Sequence, residues 1–518
     1  MQPRALGAPR WALAVAFAAT ALAIVPLVYL LVQAIEAGWQ RVVEILVRSD
    51  VAQLAIRSVC LAVLVGLLAG VVGTATAWLV ERSDLPIPGF FHVLVVIPLA
   101  VPSYVAAYAW VSWEPATASF AGAVAVLTFT TIPLVHLYVT AVLRGLDPAQ
   151  EEVARSLGKS PWHVLIRLTV PQARRGVAAG MLLASLYALA DFGAVAIMRV
   201  PVFTWVILGA YRAGFDPSRA AVLAVALVGI SLVFVLGESL VRGTRDAARV
   251  GGGAARATLA VPLGRGKWVA ITFLSLLAAV SVGFPVASYL FWWSRGGTEV
   301  ELWEFVSALI TTLLLGAVVA LVAVAVALPL AWLVARFRSV ASLGAERAVM
   351  LAHSLPGIVV ALSFVYIGVR VLQPIYQRWP IVVLAEVALT LSLALGALRV
   401  AFEQQPEVLT DVGRSTGRSR TEVFLRVTLP SVLPAIAVSV AVVALTTAKE
   451  LPALLLLRPA GTDTLATRLW AWAGVSDDAS VAPFALTLIA FSIIPALVAA
   501  RLGRPKRGAA QSSARSLV

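Results

Sequence analysis

The chain has 518 residues, of which 61% are apolar and 13% are charged, and its mean hydropathy is +0.94. Soluble domains carry about 25% charged residues, and a single hydrophobic core stops growing near about 250–300 residues, so this composition excludes an ordinary soluble enzyme and a disordered protein. The formal net charge of +14 fits either nucleic-acid binding or a membrane protein with basic cytoplasmic loops. A single cysteine, Cys60, excludes a disulfide framework.

Apolar segments long enough to cross a bilayer follow one another along the chain, since a bilayer core requires about 20 apolar residues in a helix. The first follows Arg4 and Arg10 but is too long for the apolar core of a signal peptide, so we expect a retained helix. The sequence predicts an all-α integral membrane protein with about 12 transmembrane helices, at 11–33, 56–80, 89–112, 118–143, 176–198, 220–241, 268–292, 305–335, 347–371, 380–400, 435–457 and 481–500.

The basic residues are distributed unevenly between these predicted spans. When both termini are placed in the cytoplasm, 28 of the 40 Lys and Arg residues fall in cytoplasmic segments and 11 in outer segments. An excess of this kind sets the orientation of a membrane protein. We therefore expect both termini to be cytoplasmic and the lipid bilayer to be a partner of the chain. The positive charge is explained by topology, and no nucleic acid is expected as a partner.

An internal repeat organises the chain. Residues 151–171 realign with 410–430 at an offset of 259 and are identical at 9 of 21 positions, and Ala-Trp-Leu-Val at 77–80 recurs at 331–334 at an offset of 254. An even number of helices in each copy gives both copies the same orientation, so the repeat is parallel. The predicted organisation is a first six-helix half at 1–241 with a cytoplasmic loop at 144–175, a linker at 242–267, and a second half at 268–518 with a cytoplasmic loop at 401–434.

Each long cytoplasmic loop combines a helical stretch, a glycine, a second short stretch and a proline. In the first copy Glu152 opens the helix, Gly158 ends it, Ser160 caps the next stretch, and Pro171 marks the return to the membrane. The pattern predicts a pair of short helices that projects from the bilayer with apolar residues between charged ones. Because such a unit leaves an apolar face in water, we expect it to dock on a soluble partner.

These loops resemble the cytoplasmic signature of ABC-type importer membrane subunits, which runs Glu-Ala-Ala, three residues, Gly, nine residues, Ile, any residue, Leu-Pro. Both copies keep the spacing of Gly and Pro, but Val replaces the first Ala in each, and the second copy has Asp for Glu and Gly for the other Ala. The resemblance implies that the ATPase-coupling residues are Glu152, Ala154, Arg155, Gly158, Pro171, Asp411, Arg414, Gly417 and Pro430.

The resemblance also implies a type I ABC importer permease fold in a bacterial inner membrane. Its expected partners are two copies of a cytoplasmic ATPase, which bind ATP and Mg, and an extracytoplasmic substrate-binding protein. The chain itself is then not an enzyme, has no catalytic or metal-binding residue, and binds no cofactor. The tripeptide Gly158-Lys159-Ser160 is not a phosphate-binding loop, because Val153 stands where such a loop requires a glycine.

The fused two-half layout most resembles the iron(III) permease branch, through residues 191–204 and 449–470. This resemblance implies ferric iron as the cargo, with thiamine, polyamine, phosphonate and sulfate as alternatives. An alternative of another class is a secondary transporter driven by an ion gradient. A duplicated twelve-helix chain suits that class too, but it gives no reason for two matching cytoplasmic loops.

Ionisable residues within the predicted spans are candidates for a translocation pathway or gate, because intramembrane charges are expensive and are functional by default. Asp191 and Glu450 coincide at the repeat offset, and a carboxylate from each half would suit passage of a hard cation. Lys449 stands beside Glu450. The alternative is structural: Lys449 neutralises Glu450, and Asp191 caps the end of a broken helix.

Other polar residues in the spans are interpreted as structural. Glu386 is expected to form a hydrogen bond with a neighbouring helix, and three histidines, His92, His136 and His353, lie on separate apolar runs without the spacing of metal ligands. Arg199 and Arg458 coincide at the repeat offset near the outer helix ends, where arginines anchor a helix or contact a binding protein.

Overall fold

The computed structural model describes residues 10–146, 148–212, 217–242, 260–297, 299–337, 339–352, 355–405, 415 and 420–502. These residues form helices, and the one β-type pairing among them is an isolated bridge between Ser83 and Val261. The all-α architecture predicted from hydropathy is therefore confirmed.

The helices before the predicted linker begin with a long apolar helix and include several short ones. They are α1 Arg10–Glu36, α2 Trp39–Leu46, α3 Ser49–Arg82, α4 Pro88–Val96, α5 Ser103–Val111, α6 Phe120–Gly145, α7 Pro148–Ser156, α8 Pro161–Val164, α9 Val170–Ala190, α10 Gly193–Ile197, α11 Phe203–Arg212 and α12 Pro217–Arg242. A π-helical turn, Leu165–Thr169, joins α8 to α9.

The helices after the linker follow the same order of long and short elements. They are α13 Gly266–Ala278, α14 Phe284–Ser294, α15 Leu302–Arg336, α16 Val340–Ala352, α17 Gly357–Arg370, α18 Trp379–Glu403, α19 Arg420–Val423, α20 Leu429–Ala448, α21 Pro452–Leu457, α22 Leu465–Gly474 and α23 Asp478–Leu502. A π-helical turn, Phe424–Thr428, again precedes the helix that returns to the membrane.

Eight single spans in the described residues are long and apolar enough to cross a membrane, and two bent pairs raise this number to ten. The bent pairs are α4 with α5, at 84°, and α16 with α17, at 105°. This number is consistent with about twelve membrane helices, because α9 and α23 coincide with the two remaining predicted segments. Two predicted segments, 176–198 and 435–457, are interrupted earlier than expected, since α9 ends before Asp191 and α20 ends before Lys449.

The described helices belong to two compact units. The unit named here the α3 unit comprises Ser49–Trp205, Gly229–Gly297 and Ala485–Val518, and the α15 unit comprises Met1–Arg48, Val206–Val228 and Thr298–Phe484. Helices α3, α6 and α9 pack together in the first, and their repeat counterparts α15, α18 and α20 pack together in the second. The duplicated sequence therefore builds the same three-helix core twice.

Glycines allow the close packing of these cores. A Cβ atom added at Gly66 would lie 2.0 Å from Ser185 Oγ on α9, and one at Gly73 would lie 2.7 Å from Val135 Cβ on α6. In the α15 unit a Cβ at Gly316 would lie 2.9 Å from the backbone oxygen of Ala444. Helices in lipid associate through such close approaches because there is no hydrophobic driving force between them.

Each compact unit contains helices from both predicted halves of the sequence. The α3 unit includes α13 and α14 of the second half, and the α15 unit includes α1 of the first half. In the α3 unit, Tyr289 of α14 donates a hydrogen bond to the backbone oxygen of Val105 over 2.6 Å. In the α15 unit, Tyr29 of α1 donates to the backbone oxygen of Tyr366 over 3.3 Å, and Glu36 pairs with Arg370 at 2.5 Å. The halves 1–241 and 268–518 stay a prediction from the repeat, and they are a division of the chain different from the compact units.

The last residues of the predicted linker contact the C-terminal end of α3. The amide of Val261 donates to the backbone oxygen of Arg82 over 2.8 Å, and the amide of Leu263 donates to Asp84 Oδ1 over 2.9 Å. Lys267 forms an ion pair with Asp84 at 3.0 Å. These contacts place the start of α13 beside α3, whereas residues 243–259 of the predicted linker lie outside the described residues.

Candidate functional site

The first cytoplasmic loop forms the two short helices that its sequence predicts. Helix α7 ends at Ser156, and Gly158 adopts a left-handed backbone with φ 77°. The amide of Gly158 donates a hydrogen bond to the backbone oxygen of Arg155 over 2.9 Å, and the amide of Lys159 donates one to the backbone oxygen of Ala154 over 3.2 Å. Ser160 then caps α8, because its Oγ accepts a hydrogen bond from the amide of His163 at 3.3 Å.

A buried ion pair connects this loop to the C-terminal end of α3. Glu151 is 5% exposed and its Oε1 lies 3.6 Å from Arg82 Nη2. Thr169, at the end of the π-helical turn, donates its hydroxyl to the same Oε1 over 3.1 Å. Arg82 also donates to the backbone oxygen of Leu143 on α6 over 2.6 Å. One carboxylate therefore joins the loop to α3 and to the start of α9.

The sequence pattern predicts Glu152 as the opening carboxylate and gives no role to Glu151. The signal that could have found Glu151 is Arg82, which the repeat pairs with Arg336 at the inner end of α15. A buried arginine requires an anionic partner, and Arg82 is 3% exposed, so a carboxylate from another segment could be expected beside it. Arg155 Nη2 also lies 3.9 Å from the Oε2 of Glu151.

The first loop exposes apolar side chains among its polar residues. Val153 is 58% exposed, Leu157 is 73% exposed and Ile166 is 60% exposed. Pro171 stands directly after the π-helical turn, in the first turn of α9, where proline fixes the backbone φ. This combination of a rigid turn and exposed apolar side chains fits a docking surface for a soluble protein.

The second loop is only partly within the described residues, and Asp411, Arg414 and Gly417 lie outside them. Pro430 is described and stands in the first turn of α20, as Pro171 does in α9. Its attachment to the membrane helices differs. Arg336 Nη2 donates a hydrogen bond to the backbone oxygen of Gln405 over 3.1 Å, and the side-chain Nε2 of Gln405 donates one to the backbone oxygen of Thr428 over 3.1 Å.

In the α3 unit, Asp191 occupies the break between α9 and α10. Its Oδ1 accepts a hydrogen bond from the amide of Ala194 at 2.8 Å, and its Oδ2 accepts one from the hydroxyl of Ser103, the first residue of α5. Its backbone oxygen accepts the hydroxyl proton of Thr204 at 2.8 Å. The carboxylate therefore caps a short helix and reaches α5, and the backbone oxygen of Asp191 adds a contact to α11.

In the α15 unit, Lys449 and Glu450 occupy the corresponding break between α20 and α21. The Oε1 of Glu450 lies against Gly357, where an added Cβ would be 2.9 Å away. Gly357 begins α17 after Pro356 as Ser103 begins α5 after Pro102. The first half thus combines a short acid with a serine, and the second combines a longer acid with a glycine.

Glu386 joins this second group. It lies on α18, is completely buried, and interacts electrostatically with Glu450. Neither of its carboxyl oxygens has a hydrogen-bond partner among the described residues, so the expected bond to a neighbouring helix is wrong for this part of the chain. The residues at both repeat offsets, Leu127 and Ile132, are apolar. Sequence position alone gave no signal that Glu386 would lie near Glu450.

Two histidines that the sequence separates by 44 positions meet in the α3 unit. His136 Nε2 lies 2.9 Å from His92 Nδ1, and Thr76 Oγ1 lies 3.0 Å from His136 Nδ1. Both rings are completely buried, so the prediction of hydrogen-bonded core histidines is confirmed, although they are not separate. His353 lies outside the described residues, within which no group of three or more His, Cys, Asp or Glu side chains could hold a metal.

Comparison with known proteins identifies the family to which this arrangement belongs. The family profile described as "Binding-protein-dependent transport system inner membrane component" matches residues 62–245. The Fe(3+)-transport system permease protein FbpB 2 of Haemophilus influenzae is 34% identical over 475 residues, which are 91% of this chain and 94% of that protein. The chain belongs to this family of transport permeases. This family assignment speaks against the alternative of an ion-gradient-driven secondary transporter.

Other permeases of the family match shorter stretches. The sulfate transport system permease protein CysW of Synechocystis is 32% identical over 143 residues, covering 25% of this chain and 52% of that protein. The molybdenum transport system permease protein ModB of Escherichia coli is 26% identical over 201 residues, covering 34% of this chain and 87% of that protein. These matches cover a quarter to a third of the chain, whereas the match to the Haemophilus permease covers 91% of it.

Proposed function

We propose that this chain is the permease subunit of an ATP-driven importer for ferric iron. The observation that supports this proposal most directly is the match to an iron(III) permease along 91% of the chain. The duplicated three-helix core and the cytoplasmic loop with its exposed apolar side chains fit the same role. The matches to sulfate and molybdenum permeases keep oxyanion cargo as the second candidate, because they cover parts of the same chain.

The partners follow from the family description, in which transport depends on a binding protein. We propose two copies of a cytoplasmic ATPase that bind ATP and Mg, one at each loop, and an extracytoplasmic binding protein that delivers the cargo. The chain then lies in a bacterial inner membrane with both termini in the cytoplasm, as the distribution of its basic residues predicts. The loop residues named above, from Glu152 to Pro171 and from Asp411 to Pro430, would contact the ATPase.

We further propose that Asp191, Lys449 and Glu450 stand at the translocation pathway or its gate. Each acid lies where a long helix ends and a short one follows, and the two breaks occur at the same place in the repeat. Asp191 contacts the first turn of α5, and Glu450 contacts the first turn of α17. Each carboxylate would therefore connect helices that rearrange when the ATPases close. The hydrogen bonds of Asp191 favour a gate over an open cation site, since its oxygens are already engaged.

Uptake of radiolabelled iron(III) tests the proposed cargo. Cells that lack their own ferric importers would express this chain together with a candidate ATPase and a candidate binding protein from the same organism. We expect iron uptake that disappears when the ATPase cannot hydrolyse ATP. Uptake of sulfate or molybdate instead of iron would overturn the cargo assignment and leave the family assignment intact.

The coupling role is tested by replacing Gly158 and Gly417 together with proline. Gly158 has a positive φ, which proline cannot adopt, so the turn between α7 and α8 would be lost. We expect the purified chain to have no ATPase activity alone, to stimulate its partner when intact, and to lose that stimulation in the double variant. Intact coupled uptake in the double variant would contradict the docking role.

The pathway role is tested with paired conservative and truncating variants. Asp191→Ala with Glu450→Ala should abolish iron uptake, whereas Asp191→Asn should retain the cap on α10 and separate the effect of charge from that of structure. A matched control is Glu304→Gln, an acid of α15 outside both helix breaks. Unimpaired uptake by the double alanine variant would remove both acids from the pathway.

A further inference from the structure

A small pocket with two arginines opens in the α3 unit, near the end of α3 that is opposite to Arg82. Its volume is about 370 Å³, and it is lined by Ile56, Arg57, Cys60, Phe120, Arg199, Val200 and Pro201. Both arginines are exposed. Among the described residues, neither guanidinium group forms a hydrogen bond or an ion pair. The pocket therefore presents two uncompensated positive charges between apolar walls.

The backbone of Arg199 is held in an unfavourable conformation. Its φ is 53°, in the left-handed region that a residue with a Cβ rarely adopts. Two hydrogen bonds impose this conformation: the amide of Val200 donates to the backbone oxygen of Val195 over 2.9 Å, and the amide of Phe203 donates to the buried hydroxyl of Ser58 over 3.1 Å. Strained residues of this kind concentrate at functional sites.

The second repeat copy neutralises the equivalent arginine. Arg458 follows α21 as Arg199 follows α10, but it pairs with Asp463 and donates to the backbone oxygen of Thr462 over 2.9 Å. The equivalent of the Ser58 contact is also present, since the amide of Leu465 donates to Thr312 Oγ1 over 2.9 Å. In both copies the amide of the residue that follows this loop is therefore bonded to a hydroxyl group on the long helix, α3 or α15, and this hydrogen bond is called the clamp here.

The length of this loop explains the difference in charge. In the first copy the loop has four residues, 199–202, from the arginine to the residue before the clamped Phe203. In the second copy it has seven, 458–464, before the clamped Leu465. The three additional residues of the second copy accommodate Asp463. The position equivalent to Arg57 is Thr311, so the second copy lacks the other cation as well. The cationic pocket is a property of the first copy alone.

An exposed apolar stripe runs along α3 from this pocket. It consists of Ile56, Cys60, Leu64, Leu67 and Val71, which recur at intervals of three and four residues and so share one face of the helix. Since α3 is a candidate membrane span, this face meets hydrocarbon. A ligand that satisfies both features has an anionic head and an apolar chain.

We propose that this pocket binds an anionic phospholipid of the outer leaflet. The lipid phosphate would lie between Arg57 and Arg199, whose guanidinium groups match the geometry of phosphate oxygens, and an acyl chain would follow the stripe on α3. Arg57 stands eight positions after the start of α3, at the boundary where the predicted apolar span begins. The assignment is independent of the cargo that the permease carries.

The native thiol of Cys60 reports whether the pocket is occupied. It is the single cysteine of the chain, it is exposed, and it lines the pocket. The full chain would be reconstituted in vesicles of phosphatidylcholine, with and without phosphatidylglycerol, and the rate of alkylation by N-ethylmaleimide measured. We expect phosphatidylglycerol to slow alkylation, and we expect Arg57→Gln or Arg199→Gln to weaken lipid binding about fivefold each. The double variant should show equal rates in both vesicles.

The ratio of rates between the two vesicles, taken within each variant, removes the direct effect of an arginine on the reactivity of the thiol. Arg295→Gln is the matched control, because Arg295 also follows a membrane helix of the α3 unit but does not line the pocket; this variant should retain the full difference. Equal rates for the unaltered chain, or a difference that survives in the double variant, would overturn the proposal. Protection by inorganic phosphate in phosphatidylcholine vesicles would show a free-anion site and overturn the assignment to lipid.

Discussion

The two cytoplasmic loops occupy equivalent places in the repeat, yet they are attached to the membrane helices by different chemistry. The first is held by the buried carboxylate of Glu151, which contacts Arg82 and Thr169. The second is held in the described residues by the neutral side chain of Gln405, which bonds to the backbone of Thr428. Duplication has preserved the backbone frame, including the π-helical turn before each returning helix, while the side chains that fasten it have diverged.

The same contrast appears at the helix breaks within the membrane. Asp191 reaches the start of α5 through the hydroxyl of Ser103, and Glu450 reaches the start of α17 directly because Gly357 has no side chain. The longer acid and the smaller partner compensate for each other. The two halves therefore satisfy one geometric requirement in two ways, and equivalent substitutions should have unequal effects.

The largest expected difference is between Glu151→Ala and Gln405→Ala. Removing Glu151 leaves the buried guanidinium of Arg82 without its carboxylate, which typically costs about 3–5 kcal/mol. Removing Gln405 deletes neutral hydrogen bonds, which are worth about 1 kcal/mol each. Thermal unfolding of the purified chain and stimulation of the ATPase would both be measured. Equal losses of stability in the two variants would contradict the idea that the loops are fastened differently.

An exchange between the two helix breaks tests their compensation. Gly357→Ser places a Cβ against Glu450 and should destabilise the chain by about 1–2 kcal/mol. Adding Glu450→Asp recreates the acid and serine of the first half, so the double variant should recover most of that loss. A double-mutant cycle on the unfolding midpoint gives the coupling directly. Strictly additive effects of the two substitutions would show that the acid and the helix start are not coupled.

Much of the fold could be predicted from the sequence, and the reasons are local. Apolar length locates the membrane helices, and the spacing of Gly158 and Pro171 predicts the short helices of the first loop. What escaped prediction depends on long-range packing. The meeting of His92 with His136, and of Glu386 with Glu450, joins residues on different helices, and no periodicity reports which faces of two helices will touch.

The candidate site was predicted in part for a similar reason. The repeat offset paired Asp191 with Glu450, but it could not show that each acid stands at a helix break or that Asp191 contacts Ser103 and Glu450 contacts Gly357. The sequence pattern also gave no role to Glu151, whose contacts with Arg82 and Thr169 depend on long-range packing, and the coupling role of Glu152 stays a prediction.

A smaller effect is expected at Gly158. No atom lies within 4 Å of a Cβ built at this position, so the cost of Gly158→Ala is conformational and amounts to about 1 kcal/mol. Gly158→Asn should cost less, because asparagine tolerates a left-handed backbone. Stimulation of the ATPase should follow the same order. The parallel pair at Gly417 shows whether the second loop uses the same turn, and equal effects of Ala and Asn at Gly158 would contradict a conformational cause.

The smallest effect concerns Asp84, whose counterpart in the second half is Arg338, so this contact is specific to the first half. The amide of Leu263 and the ammonium group of Lys267 lower the pKa of Asp84 below its usual value of 3.8. A lowered pKa in the folded chain means that the ionised carboxylate stabilises the fold above that usual value, and that this contribution is lost as the pH falls through the folded pKa. Because Asp84 is about one third exposed, the contribution is at most about 1 kcal/mol.

The unfolding midpoints of the unaltered chain and of Asp84→Asn should therefore differ at neutral pH and converge in acid. Lys267→Met separates the two causes, since it removes the ion pair and leaves the hydrogen bond from Leu263 in place. Its midpoint should lie between those of the other two chains, because the hydrogen bond from the amide of Leu263 still favours the ionised carboxylate. A constant difference between the unaltered chain and Asp84→Asn at every pH would show that Asp84 contributes through packing and not through its charge.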